Sequence, residues 1–240
     1  AMKVIVTNSA RELGLHAAKL ASEYLGALVK KYGYARIAVS TGASQFETFE
    51  ALIASDIDWS KIEMFHLDEY EGLPETHPAG FRKYLKERFV SRVNLLAANF
   101  VDGTAEGIAE ISKKLLERPV DLGFIGIGEN GHIAFNDPPA DFQAKDPYIL
   151  VTLNDTCKAQ QVREGWFADI GEVPSRAVSM SVSQILKCKK IISCVPHAVK
   201  ARAVADTLNS PLTEAVPATA LKNHPDWTLL LDKNSAALIS

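Results

Sequence analysis

Short apolar runs alternate with segments of helical period along almost the whole 240-residue chain. Residues 4–7 form a β-branched run, and Ser9-Ala10-Arg11-Glu12 has the form of a capping box, with serine and glutamate three apart. Leu13, Ala17, Leu20, Ala21, Tyr24, Leu25 and Leu28 then recur at helical spacing, and Gly33 suits a helix stop. Further strands are predicted over 37–40, 62–67, 121–127, 148–153, 177–182, 191–195 and 228–231. Helices are predicted over 45–54, 81–89, 106–116 and about 199–208, with a short one at 217–222. Neighbouring parallel strands need crossover connections, so this order predicts an α/β fold with a mostly parallel sheet covered on both faces. No repeat, low-complexity tract or linker divides the chain, and one domain over 1–240 is expected. Pro138, Pro139 and Pro147 mark a loop, and the unpatterned segment 154–176 reads as a mobile cover.

Composition narrows the partners. Hydrophobic residues make up 47% and charged residues 23%, which allows a sizeable core. The net charge of -3 argues against nucleic acid as the main partner, since phosphate-backbone binding needs a basic face. Cys157, Cys188 and Cys194 are odd in number and fit no zinc spacing, so reduced thiols in a cytoplasmic protein are expected. No apolar run approaches the about 18 residues of a membrane span. Ala1-Met2-Lys3 leads straight into a strand pattern, so no signal peptide is expected, and Ala1 reads as an expression scar.

Ligands of open parallel sheets bind outside the carboxyl ends of the strands, which makes those ends the places to look. After 37–40 comes Thr41-Gly42-Ala43-Ser44 and then a helix, an arrangement suited to an anion, though a plain serine cap with a turn glycine uses the same residues. After the third strand come Asp68 and Glu69; one of two adjacent acids at a strand end must lie near the partly buried top of the sheet, where desolvation makes a stronger base. The alternative is a solvated acidic turn. His66 falls on the core face and reads as structural. After residue 127 comes Gly128-Glu129-Asn130-Gly131-His132, a histidine among glycines with Asp137 five positions on, fit for acid–base work near neutral pH. Gly126-x-Gly128 does not read as a dinucleotide fingerprint, because no regular helix is signalled directly after the glycines. After 191–195 comes Lys200, either a point charge for a phosphate or a solvated helix lysine. Together these ends describe a site for a small phosphorylated substrate undergoing proton transfer.

Two stretches carry a family likeness. Phe65-His66-Leu67-Asp68-Glu69-Tyr70-Glu71-Gly72-Leu73-Pro74 with His77-Pro78, and Gly126 through Asn136-Asp137-Pro138, resemble the glucosamine-6-phosphate deaminase family. The likeness extends through Ser40-Thr41-Gly42-Ala43-Ser44 and Lys200, and so over nearly the whole chain. It implies a three-layer α/β/α sandwich with a modified Rossmann-like sheet. It implies conversion of glucosamine 6-phosphate and water to fructose 6-phosphate and ammonia, with no metal or organic cofactor. By the same resemblance Asp68 moves a proton between C2 and C1, His132 opens the ring, and Asp137 supports His132. Ser40, Thr41, Gly42, Ala43, Ser44, Gly128 and Lys200 hold the substrate and its phosphate, with Arg163 as the phosphate arginine of the cover.

Two departures stand out. Asn130 replaces an aspartate of better-known members and cannot supply a charge to His132; Asp137 is one methylene shorter than the family glutamate. The chain also ends shortly after its last strand, so the resemblance implies a monomer or small homo-oligomer without strong allosteric regulation. A 6-phosphogluconolactonase-type hydrolase and a non-catalytic sugar-phosphate sensor are the alternatives. The first fits the 68–70 segment poorly, and the second leaves no room for a DNA-binding element before Val4.

Overall fold

Strand β2 (Ala35–Val39) is buried along its whole length, as a run without polar alternation must be when helices cover both faces of its sheet. Residues 2–239 are described in the computed structural model of the chain; Ala1 and Ser240 lie outside them. In order, the elements up to β5 are β1 (Met2–Thr7), α1 (Ala10–Tyr32), β2, α2 (Phe46–Ile53), β3 (Ile62–His66), β4 (Asp68–Tyr70), α3 (Phe81–Arg88) and β5 (Ala97–Asn99). Then come α4 (Ala105–Leu116), β6 (Leu122–Phe124), β7 (Tyr148–Thr152), α5 (Asp155–Arg163), β8 (Arg176–Met180), α6 (Val182–Ile185), β9 (Lys190–Val195), α7 (Ala201–Asn209) and β10 (Trp227–Asp232).

Among the described residues, seven strands form one parallel sheet in the order β1-β10-β9-β6-β2-β3-β5. Successive side chains of a strand point to opposite faces. Ile37, Val39 and Met64 therefore pack with Leu13, Ala17 and Leu25 of α1, Phe49 of α2 and Leu85 of α3. Ala38 and Phe65 face the other way, towards Ile111 and Leu115 of α4 and Val204 of α7. The result is the three-layer α/β/α arrangement that the alternation implied. Truncating a side chain as enclosed as Phe65 costs about 3–5 kcal/mol, because the dense interior cannot refill the space.

The one charged residue of β2 explains a second joint. Arg36 is buried, with Nε 2.9 Å from Glu63 Oε1. Its Nη1 donates to Leu115 O and Arg118 O, and its Nη2 to Lys114 O. These carbonyls lie in the last turn of α4 and just beyond it, so a buried guanidinium caps the end of that helix from the sheet.

The strands predicted at 148–153 and 177–182 do form, but outside the main sheet. β7 and β8 pair antiparallel with each other and with β4, in the order β4-β8-β7. The chain leaves the main sheet at Leu67, whose carbonyl accepts from Met180 N at 2.8 Å. Asp68 thereby lies opposite Ser179. Alternation shows that a segment is extended but not which strand it pairs with, which is why this small sheet is absent from the sequence reading. The segment read as a cover contains α5, capped by Asn154, whose side chain accepts from Cys157 N. No helix among the described residues is long and apolar enough to cross a membrane.

Candidate active site

β9, β6, β2 and β3 are consecutive neighbours in a parallel sheet, so their carboxyl ends open on one place. There the structure has a cleft of about 540 Å³, counting its open mouth. Thr41, Gly42, Ser44, Asp68, His132 and Lys200 all line it.

The turn after β2 is held from several sides. Gly42 has φ +100°, a conformation that side chains disfavour, and its carbonyl accepts from Tyr84 Oη at 2.6 Å. Gln45 Nε2 donates to Ser44 Oγ and to Cys194 O, tying this turn to the end of β9. Ser40 lines the cleft, but its hydroxyl donates to Phe124 O and accepts from Gly126 N, clamping β2 to the chain after β6. Its proton is committed, so its hydroxyl is a joint between two site loops. Lys200 is buried beside the cleft and is no solvated helix lysine. Burial lowers the pKa of its ammonium; Glu164 opposes that shift and Arg163 adds to it.

The two adjacent acids are separated by their partners. Glu69 is fully buried and accepts from the N–H groups of Tyr70, Phe81 and Arg82, with Arg82 Nε at 3.0 Å. Two of those N–H groups open α3, where a carboxylate is favoured by the helix dipole. Glu69 is thus a structural anchor. Asp68 lines the cleft and is buried; burial first, and the Glu69 charge second, push its carboxyl well above the usual range. An ionised Asp68 is therefore a stronger base than a solvated carboxylate.

The glycine loop places the imidazole. A Cβ at Gly128 would lie 1.9 Å from His132 Cε1, so the ring rests directly on that backbone. Gly131 turns the chain at φ +83°. Asn130 Oδ1 accepts from His132 N at 3.1 Å and lies 2.6 Å from His132 Nδ1. The backbone N–H identifies that atom as the oxygen, so Nδ1 carries the proton and Nε2 keeps its lone pair. Burial, and then Lys200, lower the His132 pKa to about 3, which leaves the ring neutral near pH 7. Asp137 Oδ1 stands 3.6 Å from Nδ1. Asp137 also accepts from Asn154 N at 3.2 Å and from the Cys157 thiol, so it joins the histidine loop to the start of α5. Burial raises its carboxyl to about 6 against those hydrogen bonds.

Arg163 does not line the cleft. It pairs with Glu129, and its side chain is 57% exposed. In its place α5 and the residue after it present Gln160, Gln161 and Glu164 to the site. These three were invisible as site residues because the segment shows no strong period. Nothing in the sequence marks them, because which face of α5 is buried is decided by packing.

The family described as "Glucosamine-6-phosphate isomerases/6-phosphogluconolactonase" matches this chain over residues 8–230. A glucosamine-6-phosphate deaminase of Oenococcus oeni is 32% identical over 243 residues, spanning 100% of this chain and 99% of that protein. One of Streptococcus thermophilus is 35% identical over 240 residues, spanning 98% and 99%. The solved structure of a monomeric glucosamine-6-phosphate deaminase matches with a TM-score of 0.88 at 29% identity, over 99% of this chain and 100% of that one. A 6-phosphogluconolactonase of Trypanosoma brucei matches with a TM-score of 0.83 at 16% identity, over 100% and 99%, a likeness of fold alone.

Proposed function

The chain belongs to the glucosamine-6-phosphate isomerase/6-phosphogluconolactonase family, and on that premise we propose that it is an amino-sugar phosphate deaminase. It converts glucosamine 6-phosphate and water to fructose 6-phosphate and ammonia. The observation that carries this reading is the company of three groups in one cleft: a buried carboxylate with a raised pKa, a neutral imidazole with a free Nε2, and a buried ammonium.

The phosphate binds to the turn 41–44 and Lys200, remote from the reacting carbons, so its binding energy positions the sugar. His132 Nε2 takes the proton from O1 and delivers it to O5, which breaks the C1–O5 bond and opens the ring. The phosphate charge offsets Lys200, the second cause of the depressed His132 pKa, and so eases this proton uptake. Asp68 then removes the C2 proton while a proton of the C2 ammonium passes to O1, which gives an enolamine, and Asp68 returns its proton to C1. The resulting imine at C2 is hydrolysed by water, which leaves the ketone and releases ammonia. Asn130 fixes the tautomer that makes Nε2 the base, and Gly128 leaves room for the ring.

An assay for ammonia release from glucosamine 6-phosphate tests the reading. Hydrolysis of 6-phosphogluconolactone without ammonia release overturns it in favour of the lactonase. Asp68→Asn is expected to abolish solvent exchange of the C2 proton, and retained exchange removes Asp68 from its role. His132→Gln is expected to impair the cyclic sugar most, because ring opening is its task.

A further inference from the structure

The anion turn already has a carboxylate on it. Glu164, the residue that follows α5, accepts through Oε1 from Ala43 N at 3.2 Å and through Oε2 from Gln160 Nε2 at 2.8 Å. The same carboxylate lines the cleft with Lys200 and supports the Lys200 ammonium against burial. Its Oε1 also lies 3.8 Å from where a Cβ on Gly42 would stand. One N–H donor that a phosphate needs is thus engaged by a side chain of the cover, whose charge also acts on Lys200.

We propose that Glu164 is a built-in competitor for the phosphate subsite, holding the Ala43 N–H and offsetting Lys200 until a substrate phosphate displaces it. The proposal rests on the phosphate reading of the 41–44 turn and Lys200 given above. Two anions sharing one donor and one ammonium repel each other, so the carboxylate leaves when phosphate arrives. Its departure also releases Gln160 Nε2. The other end of that amide, Oε1, accepts from Glu129 N at 3.1 Å in the loop that carries His132. Phosphate binding is therefore reported to the histidine loop through a single side chain. Removing the charge at position 164 frees the cation for phosphate, and removing the side chain frees the Ala43 N–H as well.

The test is calorimetric titration of the whole protein with inorganic phosphate, alongside KM for glucosamine 6-phosphate. Glu164→Gln is expected to bind phosphate about tenfold more tightly, the factor equivalent to about 1.4 kcal/mol, and to lower KM in the same direction. Glu164→Ala, which leaves no amide on the turn, is expected to tighten phosphate binding as well. Lys200→Met is expected to weaken it at least about tenfold, a loss of about 1.4 kcal/mol. If Lys200→Met weakens binding while both Glu164 variants match or fall below the parent, the phosphate subsite stands and the competitor is overturned. If Lys200→Met leaves phosphate binding unchanged, the subsite assignment itself fails and the competitor falls with it.

Discussion

Asp137→Asn is expected to make the protein more stable and less active, and the stability gain is expected to appear only at higher pH. The carboxyl is buried, and burial outweighs the hydrogen bond from Asn154 N and the favourable influence of Cys157 and Asn130, raising its pKa from 3.8 to about 6. One pKa unit is about 1.36 kcal/mol, so a rise of roughly two units makes the ionised group about 3 kcal/mol less favourable in the fold than in the unfolded chain. Below pH 3.8 both states hold the proton and no penalty exists. Between 3.8 and about 6 the unfolded chain releases a proton that the fold retains, so stability falls as pH rises. Above about 6 the penalty is complete. Asparagine keeps an oxygen for Asn154 N and carries no charge. Urea unfolding of both proteins at pH 4 and pH 8 isolates the effect, because His132, with a pKa of about 3, stays neutral in both folds at either pH. The variant is expected to gain about 2–3 kcal/mol over the parent on going from pH 4 to pH 8. A difference independent of pH refutes the account of Asp137 as a strained carboxylate. Turnover is expected to fall, since the oxygen 3.6 Å from His132 Nδ1 can no longer stabilise the imidazolium.

Glu69→Ala is expected to destabilise the fold by about 3–5 kcal/mol, because Arg82 and the N–H groups opening α3 lose their buried partner; a urea midpoint within error of the parent would remove its structural role. Gly128→Ala is expected to reduce kcat on the order of a hundredfold, since a Cβ 1.9 Å from the ring must push His132 out of place; near-normal turnover would show that the ring position is not critical. Asn130→Asp puts a charge beside Nδ1 and raises the His132 pKa, so the acid limb of the kcat/KM profile is expected to move to higher pH. An unmoved limb would mean that position 130 does not set the charge state of the histidine.

The features legible in the sequence are those written by local chemistry. Ser9 Oγ accepts from Glu12 N and Glu12 Oε2 accepts from Asn8 N, four residues away, so the start of α1 is decided within one turn. Its stop at Gly33, with φ +79°, is equally local. The parallel α/β layering follows from alternation of period, and strand ends then point to Asp68, His132 and Lys200, which the fold brings to one cleft. What alternation cannot carry is partner choice over long separations. Asp68 and Glu69 look alike until α3 arrives, 12 and 13 residues on, and binds only Glu69. The strands at 148–152 and 176–180 are extended by pattern, yet their sheet is set by β4 leaving the main sheet. Arg163 and Glu164 are adjacent in sequence, yet helical geometry sends one to Glu129 and the other onto the anion turn. Residue type and period thus determined the layers and the kind of site; burial and contacts between distant segments decided which acid faces the cleft, which lysine is enclosed and which side chain occupies the turn after β2.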